Sequence, residues 1–290
     1  MKPFIKWVGG KTQILGDILS RIPNDIDNYH EPFVGGGSVL LAVLDSTYIN
    51  IRGNVIAYDA NRALINTYKD VQKRPERLWE KIQEFVVDYK QCTGRCIDRN
   101  APTRDEAMVS KESYYYWARR YYNSLSKHTL EKSALFIFLN KTCFRGLYRE
   151  GPNGFNVPYG HYKTVDIIDK QDLVDMSKLI QRVKFECLEF DKSLANVKEN
   201  DFVYLDPPYA PEDSKSFVGY IKGGFGMDKH NELFKQVNNL PCSFLMSNSN
   251  VPLVRESFSD DMYRTDVIRC RRSINSKNPG AKTDEVLIMK

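Results

Sequence analysis

The sequence predicts an α/β fold, and two stretches carry that reading. Asp201-Phe202-Val203-Tyr204-Leu205 is a short apolar run that reads as a buried strand. Asp206-Pro207-Pro208-Tyr209 follows at its carboxyl end, where open α/β sheets hold their ligands. Upstream, Glu31-Pro32-Phe33-Val34-Gly35-Gly36-Gly37-Ser38 leads into the apolar helix Val39 to Leu44, and the next strand, Asn54 to Tyr58, ends in Asp59. Asp59 lies 22 residues beyond Gly37, about where an α/β cofactor fold places the carboxylate that takes ribose hydroxyls.

Lys6-Trp7-Val8-Gly9-Gly10-Lys11-Thr12 opens the chain with a glycine turn before a helix from Gln13 to Arg21, with Ile14, Leu15, Ile18 and Leu19 on one face. Gly10-Lys11-Thr12 is not a phosphate-binding loop. The first glycine of that pattern would fall at Ile5, and no apolar strand precedes it. A basic, aromatic loop over a bound ligand fits better. The three glycines Gly35 to Gly37 let the main chain approach a ligand closely and enter a helix at an unusual angle. They do not spell Gly-x-Gly-x-x-Gly, which argues against a dinucleotide pyrophosphate. A nucleoside without phosphates, such as S-adenosylmethionine, suits Gly35, Gly37 and Asp59 better.

Helical patterning runs from Leu64 to about Val87, and residues 88 to 110 read as a loop or small insertion. From Lys111 to Lys163 there are nine Lys or Arg against three acids, an excess of six. That local excess is larger than the net +5 of the whole chain, so the positive field is concentrated here. Aromatics are interleaved from Tyr114 to Tyr122, and an apolar helix spans Ser133 to Asn140. A basic, aromatic segment of this kind fits a nucleic-acid surface. A solvated helix face over an aromatic core accounts for Tyr115, Trp117 and Tyr121 but poorly for the turn-rich stretch Cys143 to Gly160. That stretch reads as an exposed loop bearing Arg145, Arg149 and Asn156, residue types suited to purine edges, with Leu147 and Pro158 suited to thymine methyls. Beyond the Asp206 stretch, Ser216-Phe217-Val218-Gly219-Tyr220 precedes a glycine-rich turn, and Met227 to Asn238 reads as a helix. Ser243 to Ser247 reads as a further buried strand, and the segments around Thr265 to Ile268 and Glu285 to Met289 read as a terminal hairpin. Arg269, Arg271, Arg272 and Lys277 between them would meet phosphates or protect a sheet edge.

Composition sets outer bounds. A chain of 290 residues, 42% hydrophobic and 27% charged, has globular values and room for a substantial core. Six scattered cysteines resemble a reduced intracellular protein more than a disulfide scaffold. Only Cys92 and Cys96 are close in sequence, and His128 and His161 stand apart, so no metal site is expected. The amino terminus lacks the apolar core of a signal peptide and no run is long enough to span a membrane, so a soluble cytoplasmic protein is expected.

Asp206 to Tyr209 suits alkylation of an amino nitrogen whose lone pair is delocalised into a ring, as in adenine. If Asp206 and a main-chain carbonyl both accept its N–H groups, the nitrogen is drawn towards tetrahedral geometry and its lone pair is aimed at a methyl donor. Pro208 keeps Pro207 out of the helical region and Pro207 fixes its own φ, so the Pro207 carbonyl is set in direction beforehand. Tyr209 would stack on the base, which a duplex must extrude before it can be reached. A simple strand-ending turn is the competing reading of the tetrapeptide.

Taken together, these motifs resemble the Dam-type adenine-N6 DNA methyltransferases of the D12 class. The resemblance rests on Lys6 to Lys11, Glu31 to Ser38, Asp59, Asn140 to Tyr162, Asp206 to Tyr209, Ser247-Asn248-Ser249 and Glu285-Val286-Leu287, in the family's order. It implies a Rossmann-like, S-adenosylmethionine-dependent methyltransferase sheet domain over residues 1–69 and 165–290. A mostly helical target-recognition domain would be inserted over residues 70–164. Trp7, Lys11, Phe33, Asp59 and Asp206 would line the S-adenosylmethionine pocket. The target implied is the adenine of GATC in double-stranded DNA. Lys6 would read the first guanine, Arg149 the guanine paired with the last cytosine, and Phe144 would wedge beside the flipped base. Two departures stand out: residues 88 to 110 are long and cysteine-containing, and Arg145 stands where relatives often carry Asn.

Two other readings compete. One is the same chemistry on RNA adenine or a protein glutamine, whose enzymes typically resemble Asn-Pro-Pro-Tyr and lack the inserted loop. The other is a non-catalytic DNA-binding module on a methyltransferase fold, against which the intact Asp206 stretch, Asp59 and glycine loop argue. A monomer is expected, with a cognate restriction endonuclease acting separately as a candidate partner, in a cytoplasm or with the genome of a virus or phage.

Overall fold

The computed structural model describes residues 1–211, 225–271 and 282–290. Ser216 to Tyr220, Arg272 and Lys277 lie outside the described residues. Two compact units form: Met1–Gly10, Gly35–Gly37 and Asn61–Gln181 make the first, and Lys11–Val34, Ser38–Ala60 and Arg182–Lys290 the second.

The second unit is built on a seven-stranded sheet. Its strands are β1 (Tyr29–Glu31), β2 (Val55–Tyr58), β3 (Val183–Glu186), β4 (Phe202–Leu205), β5 (Ser243–Ser249), β6 (Arg264–Arg271) and β7 (Lys282–Met289). In space the order is β3-β2-β1-β4-β5-β7-β6. The first five are parallel, while β7 runs antiparallel to both β5 and β6. This is the doubly wound, Rossmann-like order, in which chain direction along the sheet reverses between β1 and β4 and ligands bind outside the carboxyl ends there. Asp206 follows β4 and Pro32-Phe33 follows β1, so the two stretches that predicted the fold leave the sheet at that reversal.

Side-chain alternation assigns the two faces. Val203 and Leu205 of β4, Phe244 and Met246 of β5 and Val286 and Ile288 of β7 share one buried cluster. Helix Met227–Asn238 closes it with Leu233, Phe234 and Val237. Each such side chain contributes roughly 1.5–3 kcal/mol on burial.

Strands β1 and β3 were not read from the sequence. Tyr29-His30-Glu31 looks polar, yet all three residues are buried. Protein partners supply what water would: His30 Nε2 lies 3.0 Å from the distant Asp201 Oδ2, and the Tyr29 hydroxyl donates to Glu31 Oε2 of the same strand at 2.7 Å. Burial drives the Glu31 carboxyl up to about 8, a rise that the Tyr29 hydrogen bond opposes and the nearby Asp206 charge reinforces.

Helices dominate the first unit. The pattern from Leu64 to Val87, expected as continuous, is two helices, Arg62–Lys73 and Pro75–Gln91. Arg74 leaves helical geometry at φ −145° and Pro75 begins the second helix, where its missing N–H costs nothing. That helix runs on to Gln91 into the stretch expected as a loop, which also holds the short helix Arg104–Ala107. Side chains of Ser110 and Thr129 cap helices Lys111–Ser124 and Leu130–Thr142 by accepting from the Ser113 and Lys132 amides. Tyr114, Tyr115, Tyr116 and Tyr122 are buried, so much of the aromatic run is core rather than surface. The segment expected as the insertion, 70–164, lies wholly within this unit, which extends beyond it on both sides.

Candidate active site and target-recognition loop

In the second unit the polar groups converge on Asp206. Lys11, only 5% exposed, places Nζ 2.8 Å from Asp206 Oδ1. Ser247 Oγ donates to the same oxygen at 2.9 Å and is in turn 3.3 Å from the Tyr204 hydroxyl. Both partners fall on Oδ1, so among the described residues Oδ2 takes no donor and can accept from a ligand. Burial pushes the Asp206 carboxyl above its ordinary range, and the Lys11 ammonium and the Ser247 hydroxyl pull against that rise. The loop after Asp206 has Pro207 buried, Pro208 exposed and Tyr209 half-buried. Lys11 Nζ sits 4.8 Å from the centre of the Tyr209 ring, and the Tyr209 hydroxyl donates to Glu285 Oε2 at 2.7 Å. The Ala210 amide donates to Asn248 Oδ1 at 3.0 Å.

Lys11 is itself fixed through its amide, which donates to Ser38 Oγ at 3.1 Å at the start of helix Ser38–Leu44. Phe33 packs against Phe190 and Phe225, with ring centres 6.0 and 6.1 Å away. Asp59 stands half-buried at the end of β2, its amide donating to the Glu186 carbonyl of β3 at 3.4 Å.

The first unit holds the glycine run and Trp7 together. At Gly35 a Cβ would lie 2.7 Å from Trp7 Cδ1, and Gly35 has φ +47°. At Gly37, φ +73°, a Cβ would lie 2.5 Å from the Tyr68 hydroxyl, which donates to the Gly35 carbonyl at 3.0 Å. These two positions therefore exclude any side chain, both for conformation and for space. Trp7 stacks on Tyr148 with ring centres 5.8 Å apart.

The stretch expected to read the target is anchored by two buried or half-buried side-chain amides. Asn140 accepts from the Lys6 amide and donates to the Lys6 carbonyl, each at 2.8 Å, and donates to the Gly146 carbonyl at 3.1 Å. Asn123 holds the Glu150–Phe155 hairpin, accepting from the Phe155 amide at 2.9 Å and donating to its carbonyl at 3.0 Å. On this frame Lys6, Phe144, Arg145, Arg149, Asn156 and Pro158 are exposed and Leu147 is half-buried. Lys6 Nζ lies 4.3 Å over the Tyr162 ring. Arg149 Nε donates to Asn156 Oδ1 at 2.6 Å, so Asn156 bonds the arginine in this structure. Arg145 adopts φ +57°. Asn tolerates that left-handed conformation while Arg is strained by roughly 1–2 kcal/mol, which gives the departure at this position a backbone cost.

Sequence reasoning assigned no role to Glu31, Ser247, Asn248 or Glu285, although each stands in a quoted motif. For Ser247 and Glu285 no local pattern could have done so. Ser247 reaches Asp206 across 41 residues and Glu285 reaches Tyr209 across 76.

Among the described residues no helix is long and apolar enough to cross a membrane, and no group of three or more His, Cys, Asp or Glu is placed to hold a metal ion.

Comparison with known proteins adds the following. The family described as D12 class N6 adenine-specific DNA methyltransferase matches residues 7–273. The Type II methyltransferase M.MjaIII of Methanocaldococcus jannaschii is 35% identical over 304 aligned positions, covering 100% of this chain and 99% of that protein. The DNA adenine methylase of Haemophilus influenzae is 31% identical, covering 96% of this chain and 89% of that one. The DNA adenine methylase of Escherichia coli is 30% identical, covering 99% and 95%.

Proposed function

From the premise that this chain belongs to the D12 class of N6 adenine-specific DNA methyltransferases, we propose that it flips the adenine of GATC out of duplex DNA and methylates it at the Asp206 site. Membership answers the choice among DNA, RNA and protein amide that the residues left open. The single observation that carries the site assignment is the arrangement at Asp206. Among the described residues both donors, Lys11 Nζ and Ser247 Oγ, occupy Oδ1, and Oδ2 remains to accept one N–H of the target amino group.

The donor set suits a nucleoside with a cationic tail and no phosphates. Asp59 is placed for ribose hydroxyls at the end of β2, and Lys11 is committed to Asp206 rather than presented to a phosphate. Trp7, Lys11, Phe33, Gly35, Gly37, Asp59 and Asp206 are the residues that would hold S-adenosylmethionine, the co-substrate the family implies. It supplies an electrophilic methyl group.

The chain's own part is orientation and proton handling. Asp206 Oδ2 and the Pro207 carbonyl accept the two N–H groups of the adenine amine, which withdraws its lone pair from the ring. Tyr209 stacks on the extruded base. As the methyl group parts from the sulfonium sulfur of its donor and the new N–C bond forms, the nitrogen would carry one proton too many, which would pass along the existing hydrogen bond to Asp206 Oδ2 and leave a neutral methylamine. Lys6, Phe144, Arg145, Leu147, Arg149, Asn156 and Pro158 form the DNA-reading surface, on the inserted domain expected over 70–164 and the amino-terminal loop. The GATC target rests on the resemblance of the motifs to Dam-type enzymes; two similar proteins are named DNA adenine methylase. A monomer is proposed, and the Type II relative makes a separately acting endonuclease a partner to look for.

The test is incubation with labelled S-adenosylmethionine and plasmid DNA, followed by digestion with nucleases that differ in tolerance of adenine methylation at GATC. Protection at GATC is expected. Label incorporated at another sequence would refute the target, and wild-type turnover by Asp206→Ala would refute the site.

A further inference from the structure

The Asp206 loop is held from above its own strand by two neighbouring strands of the sheet. In β5 three consecutive residues grip it: Ser247 Oγ donates to Asp206 Oδ1, Asn248 Oδ1 accepts from the Ala210 amide, and Ser249 Oγ donates to the Ala210 carbonyl. Ser247 and Asn248 are fully buried, so their two contacts lie away from competing water, while Ser249 is half-buried. The fourth contact comes from β7. Glu285 stands opposite Ser249 in the antiparallel register, on the same face as Ser247, and its Oε2 accepts from the Tyr209 hydroxyl at 2.7 Å.

We infer that Glu285 is a positioning residue for methyl transfer, fixing the tilt of the Tyr209 ring against the target base through the Tyr209 hydroxyl. The inference rests on the reading of Tyr209 as the stacking residue. A ring hinged at one end by the loop alone rotates about its Cβ–Cγ axis and swings with the loop. A carboxylate bonded to the para hydroxyl removes the swing, and Lys11 Nζ, 4.8 Å from the ring centre, confines the ring from a second direction. The Glu285 carboxylate gains from the arrangement as well, since a bond to a charged acceptor is stronger than a neutral one. Preorganising the stacking partner acts on turnover of the bound complex, because the bound geometry of reacting groups is what such restraint improves.

Steady-state methylation of an adenine-containing duplex by the full chain tests this with Glu285→Ala, Glu285→Gln, Tyr209→Phe, Tyr209→Ala and the Glu285→Ala/Tyr209→Phe pair. Glu285→Ala and Tyr209→Phe should each lower kcat by roughly ten- to a hundredfold, the range for one hydrogen bond to a charged group, with KM for S-adenosylmethionine unchanged. Glu285→Gln keeps an acceptor and should restore most of the turnover, and the pair should be no worse than the poorer single variant. Multiplying losses in the pair, or wild-type kcat in Glu285→Ala, would overturn the inference. If Glu285→Ala does not fold, Tyr209→Phe decides: wild-type kcat there also overturns it. Loss in Tyr209→Ala with none in Tyr209→Phe or Glu285→Ala removes the inference and leaves the stacking role standing, whereas wild-type turnover by Tyr209→Ala removes both.

Discussion

Lys11 Nζ and Asp206 Oδ1 lie 2.8 Å apart at the reversal point of the sheet, with the lysine almost wholly buried. Burial raises the Asp206 carboxyl above its ordinary range, and the ammonium works against that rise. If Asp206 accepts from the target amine as proposed, the pair sets the pH below which that acceptor is lost. Removing the cation as Lys11→Met disfavours the carboxylate, so the Asp206 carboxyl rises further. The acid limb of kcat, measured at saturating substrates, should move to higher pH, because an adjacent cation favours the ionised carboxylate. Turnover should fall more at pH 6 than at pH 8.5. An equal fall at both would mean that Lys11 acts only by filling space or holding co-substrate.

Glu31 gives a second pH signature, in stability. Its folded carboxyl is raised from 4.5 to about 8 by burial, so between those values the native state binds more protons than the unfolded chain. Stability from this group is complete below pH 4.5 and is lost as pH rises towards 8. Glu31→Gln abolishes that loss. The difference in Tm between variant and wild type should shift in the variant's favour from pH 5 to pH 9, by at least the ~2–4 °C that about 1 kcal/mol produces in a large domain. His30, lowered by burial, has the opposite slope but is common to both proteins, so the difference isolates Glu31. A constant difference across that range would remove the raised carboxyl.

The fold was legible where packing follows local pattern. β4, β5 and the closing hairpin alternate or run apolar, and helix Met227–Asn238 begins and ends where its period does. β1 was not, because His30 and Glu31 are buried only by virtue of Asp201 and Tyr29, and Asp201 is 171 residues from His30. Such strands carry tertiary information that a window of sequence does not hold. The same holds at the site. Asp206 and Lys11 stood out by residue type and neighbours, while Ser247 and Glu285 are ordinary polar residues until the sheet register places them beside Asp206 and Tyr209. The tyrosines from Tyr114 to Tyr122 erred in the other direction, reading partly as a binding surface when most are core.

The glycine loop makes a prediction that separates conformation from space. Gly37→Ala should destabilise by roughly the 1–2 kcal/mol of a left-handed non-glycine residue, with a further cost because its Cβ would meet the Tyr68 hydroxyl at 2.5 Å. Tyr68→Phe loses its own bond to the Gly35 carbonyl but clears that space. Gly37→Ala should therefore cost less in a Tyr68→Phe background than in the wild type, as read from paired thermal or denaturant unfolding. Strict additivity would show that the loop moves aside and that only the backbone angle matters.

Two lysines of the basic segment are expected to behave differently. Lys163 is exposed, whereas Lys132 Nζ donates to the Leu125 carbonyl and lies 5.1 Å over the Tyr122 ring. Lys163→Ala should weaken DNA binding alike on all sequences and reduce the log–log salt slope by about 0.9, the release of one counterion. Lys132→Ala should chiefly lower Tm. Titrations at several salt concentrations check both, and an unchanged slope for Lys163→Ala would mean that it meets no phosphate.

The last prediction concerns the base sequence read. Arg149 projects from the hairpin held by Asn123, and Asn156 Oδ1 takes its Nε at 2.6 Å. A guanidinium braced through Nε keeps its two terminal nitrogens in a fixed plane, which is the geometry that meets O6 and N7 of guanine together. Arg149→Ala should then cost ~1–3 kcal/mol of discrimination and relax preference at the fourth base pair of GATC, leaving the first three as they were. Asn156→Ala should act in the same direction and more weakly, since the arginine stays but loses its brace. Arg149→Lys should resemble Arg149→Ala, because an ammonium is a point donor and cannot make the paired contact. Comparing kcat/KM on duplexes altered one pair at a time reads all three variants. If Arg149→Ala lowers methylation of every duplex by the same factor, the arginine serves a phosphate and the fourth base pair is read elsewhere on the loop.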